Sequence, residues 1–129
     1  MKNTLPIEIN NSSNREVLNA LQGSSCHSDI IIPISQCLVK FEGIQSFCPD
    51  GKNFSYTCWY INNIVFAYAT GMQKVSVKID STRSIEGFDQ EKFNNINKIK
   101  GWYSVPYNYK NLCEIVGLAY NSARNFNNA

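Results

Sequence analysis

At 129 residues, 43% hydrophobic and 17% charged, the chain has room for one packed core and lacks the composition of a coiled coil or a long disordered tail. A net charge of +2 does not by itself mark a nucleic-acid binder, because affinity for phosphates needs several Lys or Arg focused on one face. Met1-Lys2-Asn3-Thr4-Leu5-Pro6-Ile7-Glu8 lacks the continuous apolar core of a secretory signal, and no later stretch approaches a bilayer span, so the sequence predicts a cytoplasmic protein with no membrane partner.

Residues 1–11 show no stable period and are expected to be a flexible N-terminus ahead of a single domain over 12–129. Ser13-Asn14-Arg15-Glu16 matches a capping box, in which the Ser and Glu side chains satisfy the first free amides of a helix. Val17, Leu18 and Leu21 then share one helical face, and Gly23 stands where a left-handed C-terminal cap belongs. From Asp29 onward the pattern reads as strands. Ile30-Ile31-Ile32-Pro33 suggests an edge strand ended by proline, and residues 37–44 suggest a second strand.

Pro49-Asp50-Gly51-Lys52 is a turn signal, after which Phe54, Tyr56, Cys58 and Tyr60 alternate with Ser55, Thr57 and Trp59 as a half-buried strand. Asn62-Asn63 suits the two-residue turn of a hairpin, because Asn tolerates positive φ. Ile64-Val65-Phe66-Ala67-Tyr68-Ala69 follows as the next strand. Thr70-Gly71-Met72-Gln73 turns the chain again, and Val75, Val77 and Ile79 point opposite to Ser76, Lys78 and Asp80, which predicts one wet face.

Residues 80–100 are polar, with apolar anchors at Ile85, Phe88, Phe93, Ile96 and Ile99, as expected of a loop with one short helix. Trp102-Tyr103-Ser104-Val105-Pro106 reads as a further strand, with Asn108 capping a last helix from near Tyr109. In that helix Leu112, Val116, Ala119 and Ala123 form a stripe widened by Cys113 and Tyr120. The predicted fold is α+β, an antiparallel β-meander sheet packed on one face by an N-terminal and a C-terminal helix.

The short first helix, the hairpin ending in Val65-Phe66-Ala67-Tyr68, the strand Lys74-Val75-Ser76-Val77-Lys78-Ile79-Asp80, and Gly101-Trp102-Tyr103-Ser104-Val105-Pro106 before a helix carrying Leu112 and Ala119 to Ala123 resemble the bacterial MmcQ/YjbR-like domains and the N-terminal domain of the competence regulator TfoX. The resemblance covers roughly the last two-thirds of the chain. It implies a compact α+β module used in DNA binding or protein interaction, with no catalytic constellation to transfer. The stretch from Cys26 to Tyr60 departs from that pattern in length and in its content of Cys and aromatics.

Catalytic signals are weak. Cys26-His27 with Asp29 nearby is a sequence neighbourhood, whereas catalytic Cys and His converge from separate segments. Cys26, Cys37, Cys48 and Cys58 lie ten or eleven residues apart, without the short pairs that pre-organise a zinc tetrahedron, so no metal or other cofactor is expected. The five cysteines read as reduced, buried small side chains, the first four one per successive strand, with a Cys48–Cys58 bridge as the conceivable oxidation. Glu86, Asp89 and Glu91 read as solvated charges at a helix start. The numerous Asn residues read as surface and turn composition.

The binding candidates are aromatic. Lys98, Lys100, Trp102, Tyr103, Tyr107 and Lys110 interleave rings with cations, the pattern that stacks bases while neutralising phosphates. Trp59 and Tyr60 at the hairpin are a second candidate surface. The same rings are also what anchors a helix on a sheet. The sequence therefore predicts a non-enzymatic binding module, monomeric or homodimeric, whose partner is a nucleic acid or a protein. Two alternatives stay open: a toxin-immunity or inhibitor-type protein that occupies another protein's surface, and a small-molecule enzyme with a pocket lined by Tyr56, Tyr68 and Cys113.

Overall fold

The computed structural model describes residues 4–26, 28–50, 55–79, 93, 95, 99 and 101–125. A 3-10 turn (Ile7–Ile9) leads into α1 (Arg15–Leu21) and α2 (Ser28–Leu38). The strands β1 (Gln45–Phe47), β2 (Thr57–Ile61), β3 (Ile64–Thr70), β4 (Lys74–Lys78) and β5 (Trp102–Pro106) follow, and α3 (Leu112–Arg124) closes the chain. The strands form one sheet in the order β1-β2-β3-β4-β5, each antiparallel to its neighbours. This is the expected α+β meander, with α3 packed on the sheet through Leu112, Val116, Ala119, Tyr120 and Ala123. No helix among the described residues is long and apolar enough to cross a membrane.

The turn chemistry works as the residue types dictate. Asn62 (φ 53°) and Asn63 (φ 63°) both take the left-handed conformation, which matches the hairpin twist between Ile61 and its partner Ile64. Gly23, at φ 80°, ends the α1 region where a side chain would be strained.

The β2–β3 ladder contains a bulge. Tyr60 pairs with Val65 and Trp59 with Ala67, leaving Phe66 as the extra residue. Two consecutive side chains, Phe66 and Ala67, thereby enter the same apolar cluster, whereas Val65 and Tyr68 enter the other. An unbroken alternation would send Ala67 to the opposite face.

Both faces of the sheet are covered. On one, α2 and α3 bury Ile30, Ile34, Leu38, Val116 and Ala119 against Phe66, Val75, Val77 and Val105. On the other, α1 and the N-terminal turn bury Ile9, Val17, Leu18 and Leu21 against Phe47, Cys58, Val65, Tyr68 and Trp102. All seven residues of β3 are buried. The expected wet face of β4 is thus corrected: Ser76 is buried and shares a 2.8 Å hydrogen bond with the hydroxyl of its cross-strand partner Ser104. Alternation records chemistry rather than solvent, and two facing hydroxyls satisfy each other without water.

The strands expected over 30–44 are also corrected. Residues 28–38 form α2, with Pro33 inside it. Ile30, Ile34, Cys37 and Leu38 are its buried positions, a spacing of four, three and one that defines a helical stripe. The run of β-branched residues and the proline argue for a strand locally, but burial of that stripe against α3 outweighs a propensity cost of under about 1 kcal/mol for each isoleucine and about 3 kcal/mol for the proline. Pro33 cannot donate to the carbonyl four residues back, which costs α2 one internal hydrogen bond.

Candidate binding edge

The start of the domain is held by an asparagine rather than by a capping box. Asn14 precedes α1 and makes no side-chain cap bond. It is fully buried, and its Nδ2 donates to the carbonyls of Ile9 (3.0 Å) and Asn63 (2.9 Å) while its Oδ1 accepts from the Val65 amide (2.9 Å). The N-terminal segment is thereby locked to the β2–β3 hairpin, and Ile9 is buried with it. Asn108 likewise is not the cap of α3; Asn111 holds that position, without a side-chain bond.

Strand β1 is the outermost strand on its side. It has β2 as its one strand neighbour among the described residues, and Gln45 and Ser46 are exposed. Beside it runs a groove of about 230 Å³ whose lining includes Leu38, Val39, Phe41, Ile44, Ser46 and Trp59. Val39 is 82% exposed at its rim. A more polar recess of about 280 Å³, lined by Glu8, Gly43, Gln45, Tyr60 and the Asn62–Asn63 turn, lies at the same strand; there the Tyr60 hydroxyl donates to the Glu8 carboxylate at 3.1 Å. Gln45 borders both concavities.

α3 backs the groove at Phe41. Phe41 stacks on Tyr120 with ring centroids 4.6 Å apart, and the Tyr120 hydroxyl donates to the Glu42 carbonyl at 2.8 Å. Gly117 makes the room: a Cβ there would stand 3.2 Å from the Phe41 ring. A side chain at 117 would push Phe41 toward the groove it lines.

The rings singled out in the sequence are mostly structural. Trp102 is buried, its centroid 5.2 Å from that of Tyr68. Trp59 is buried as well, yet contributes to the groove. Tyr103 and Tyr107 are half-buried and pack against the α2/α3 cluster. Lys110 is exposed. Lys98, Lys100, Ile85, Phe88, Ile96 and the acidic residues Glu86, Asp89 and Glu91 lie outside the described residues, as does His27. The structure therefore brings Trp59 to a concave surface and carries Trp102 into the core.

On the α1 side of the sheet lies a buried polar row. Tyr68 and Ser76 are cross-strand partners, as are Ser76 and Ser104, and Asn95 Nδ2 donates to the Tyr68 hydroxyl (2.9 Å) and to Ser104 Oγ (3.3 Å) while Asn95 Oδ1 accepts from the Ile99 amide. No buried side-chain polar atom among the described residues lacks a partner. A row so satisfied specifies register and leaves no polar group turned toward a ligand.

The cysteine chemistry differs from expectation. Cys37 and Cys113, 76 positions apart, form a disulfide between α2 and α3. Cys26, Cys48 and Cys58 are not disulfide-bonded, so the conceivable Cys48–Cys58 bridge is not the one formed. Such bonds persist in oxidising surroundings, whereas the expectation of reduced thiols rested on a cytoplasmic setting. Burial pushes the Cys58 thiol up to about 12 and the Cys26 thiol up to about 11, which withholds the thiolate that nucleophilic chemistry needs. The pocket expected from Tyr56, Tyr68 and Cys113 does not assemble: the two tyrosines are buried in the α1-side cluster, and Cys113 is an exposed, bonded residue of α3. Among the described residues no group of three or more His, Cys, Asp or Glu is placed to hold a metal ion.

Comparison of the chain with protein-family models, with curated proteins and with solved structures finds no match.

Proposed function

We propose that this domain is a non-enzymatic module that works by binding another protein, and that an extended segment of the partner lies along β1 with an apolar side chain in the groove beside it. The carrying observation is the coincidence of a strand with no second strand neighbour among the described residues and a partly apolar concavity at the same residues: Gln45 and Ser46 are exposed on β1, and Ser46, Ile44, Val39 and Trp59 line the groove. Strand addition supplies main-chain hydrogen bonds, and a pocket for alternate side chains supplies selectivity. A β1 of three residues limits self-association through the same edge. This reading favours the inhibitor or immunity class over nucleic-acid binding, because stacking on bases needs open ring faces and Trp102 and Trp59 are covered. It keeps the MmcQ/YjbR-like resemblance as an interaction-module fold.

The test is a panel of fluorescent extended peptides and a labelled single-stranded DNA titrated against the protein over a salt series. The expected result is salt-tolerant binding of peptides bearing an apolar residue, with amide shifts in nuclear magnetic resonance confined to 38–47 and 57–61. DNA binding that falls steeply with salt, or peptide-induced shifts elsewhere, overturns the reading.

A further inference from the structure

The Cys37–Cys113 bond joins two unlike sites. Cys37, near the end of α2, is 2% exposed and sits in the cluster with Ile30, Ile34 and Leu38. Cys113, in the first turn of α3, is exposed. The three remaining thiols are set apart from them: Cys26 and Cys58 are buried, and Cys48 is half-buried with its sulfur 3.3 Å from the Ser55 hydroxyl.

We infer that this chain is a client of a thiol–disulfide oxidoreductase, that Cys113 is the residue which takes the mixed disulfide and Cys37 the residue which resolves it, and that the fold then shields the finished bond. In the first step the Cys113 thiolate, its proton lost to solvent, attacks one sulfur of the partner's disulfide; an S–S bond forms to Cys113 and the partner's other sulfur leaves as a thiolate. In the second, Cys37 gives up its proton and attacks the Cys113 sulfur as α2 closes on α3, expelling the partner's first sulfur. The two protein thiols lose two electrons and two protons, and the partner's disulfide becomes a dithiol.

Shielding follows from the same asymmetry. An external thiol that attacks at Cys113, the exposed residue of the pair, must expel Cys37 as a thiolate inside an apolar cluster, where desolvation opposes it; attack at the Cys37 sulfur needs access that burial denies. Exchange with the neighbours is also suppressed, since burial keeps the Cys26 and Cys58 thiols protonated at neutral pH. The native pairing outlasts thiol challenge as long as α2 and α3 stay docked.

The experiment uses the full chain and glutathione disulfide as the probe. Reduced protein carrying Cys37→Ser should accumulate a glutathione adduct mapped to Cys113, whereas Cys113→Ser should form one at Cys37 more slowly by about tenfold or more; equal rates overturn the assignment. The unsubstituted protein gives a second readout that does not depend on the variants folding. After oxidative refolding, denaturation and alkylation without reductant, Cys26, Cys48 and Cys58 alone should be labelled, and labelling of Cys37 and Cys113 overturns the cross-link. Dithiothreitol should reduce the native bond at a rate that rises with urea across the unfolding transition, and a rate indifferent to urea overturns the shielding.

Discussion

The two faces of the sheet are buried by different means. The α2/α3 face is an apolar jigsaw of aliphatic and aromatic side chains, tied at its outer layer by a disulfide. The α1 face is thinner and holds buried polar groups in place: Asn14 grips the hairpin, and Tyr68, Ser76, Asn95 and Ser104 hydrogen-bond across the strands. Apolar contact is tolerant of small shifts, whereas a buried hydrogen bond is not. The first face carries cohesion, and the second carries register.

That contrast can be broken most forcefully at the disulfide. Replacing Cys113 by Ser releases a chain constraint spanning 76 positions, and the loss in unfolding free energy should be about 4–5 kcal/mol by the chain-entropy relation, measured by urea denaturation under non-reducing conditions. A loss below about 1 kcal/mol would mean that apolar packing alone holds α2 on α3.

On the other face Asn14→Ala strands two carbonyls and one amide that now have partners. The expected cost is about 2–4 kcal/mol, with amide exchange accelerated at Val65 ahead of the α2/α3 face. Tyr68→Phe keeps the ring on Trp102 and deletes an acceptor for Asn95; about 1–2 kcal/mol is expected because Asn95 retains Ser104.

The pH dependence draws on both faces, since Cys26 lies in the α2/α3 cluster and Cys58 and Tyr56 lie in the α1-side cluster. Burial raises Cys26 to about 11 and Cys58 and Tyr56 to about 12, from ordinary values of 9.0 for a thiol and 10.0 for a tyrosine. Acids raised on folding favour the protonated native state, so their stabilisation is complete below pH 9 and is lost as pH climbs toward 12. Lys78 runs the other way. Burial lowers it, so its penalty is full at neutral pH and fades as the ammonium deprotonates. The net expectation is an alkaline fall in melting temperature above pH 9, made shallower by Cys58→Ala.

The smallest stability effect should come from the surface with the largest proposed role. Val39 is 82% exposed, so Val39→Asp should change unfolding free energy by less than about 0.5 kcal/mol while abolishing peptide binding in the groove. Gly117→Ala, which crowds Phe41 at 3.2 Å, should weaken that binding with the helix intact. Binding unaffected by both would remove the groove from the function.

Much of this fold was legible in local chemistry. The Asn62–Asn63 turn, the C-terminal helical stripe and the meander from β2 to β5 follow from positive-φ tolerance and from hydrophobic period. The α2 helix was not legible in the same way, since Ile30-Ile31-Ile32-Pro33 carries strand preferences and its helical stripe matters only against α3. Asn14 and Asn95 were masked by composition: an amide side chain both donates and accepts, so it suits a buried crossing of backbone groups as well as it suits a turn. The β1 edge, Gln45-Ser46-Phe47, left no strand signal in the sequence.

The sequence by itself determined the elements whose code is local: turns written in Asn and Gly, strands written in alternation, and the amphipathic last helix. Tertiary structure alone decided which face Ala67 meets, by inserting Phe66 as a bulge; that Ser76 is dry, by setting Ser104 opposite it; that Trp102 is core; and that Cys37 finds Cys113. Each of these depends on a partner far along the chain. A residue type states what it can satisfy, and only the packed neighbours determine what it must.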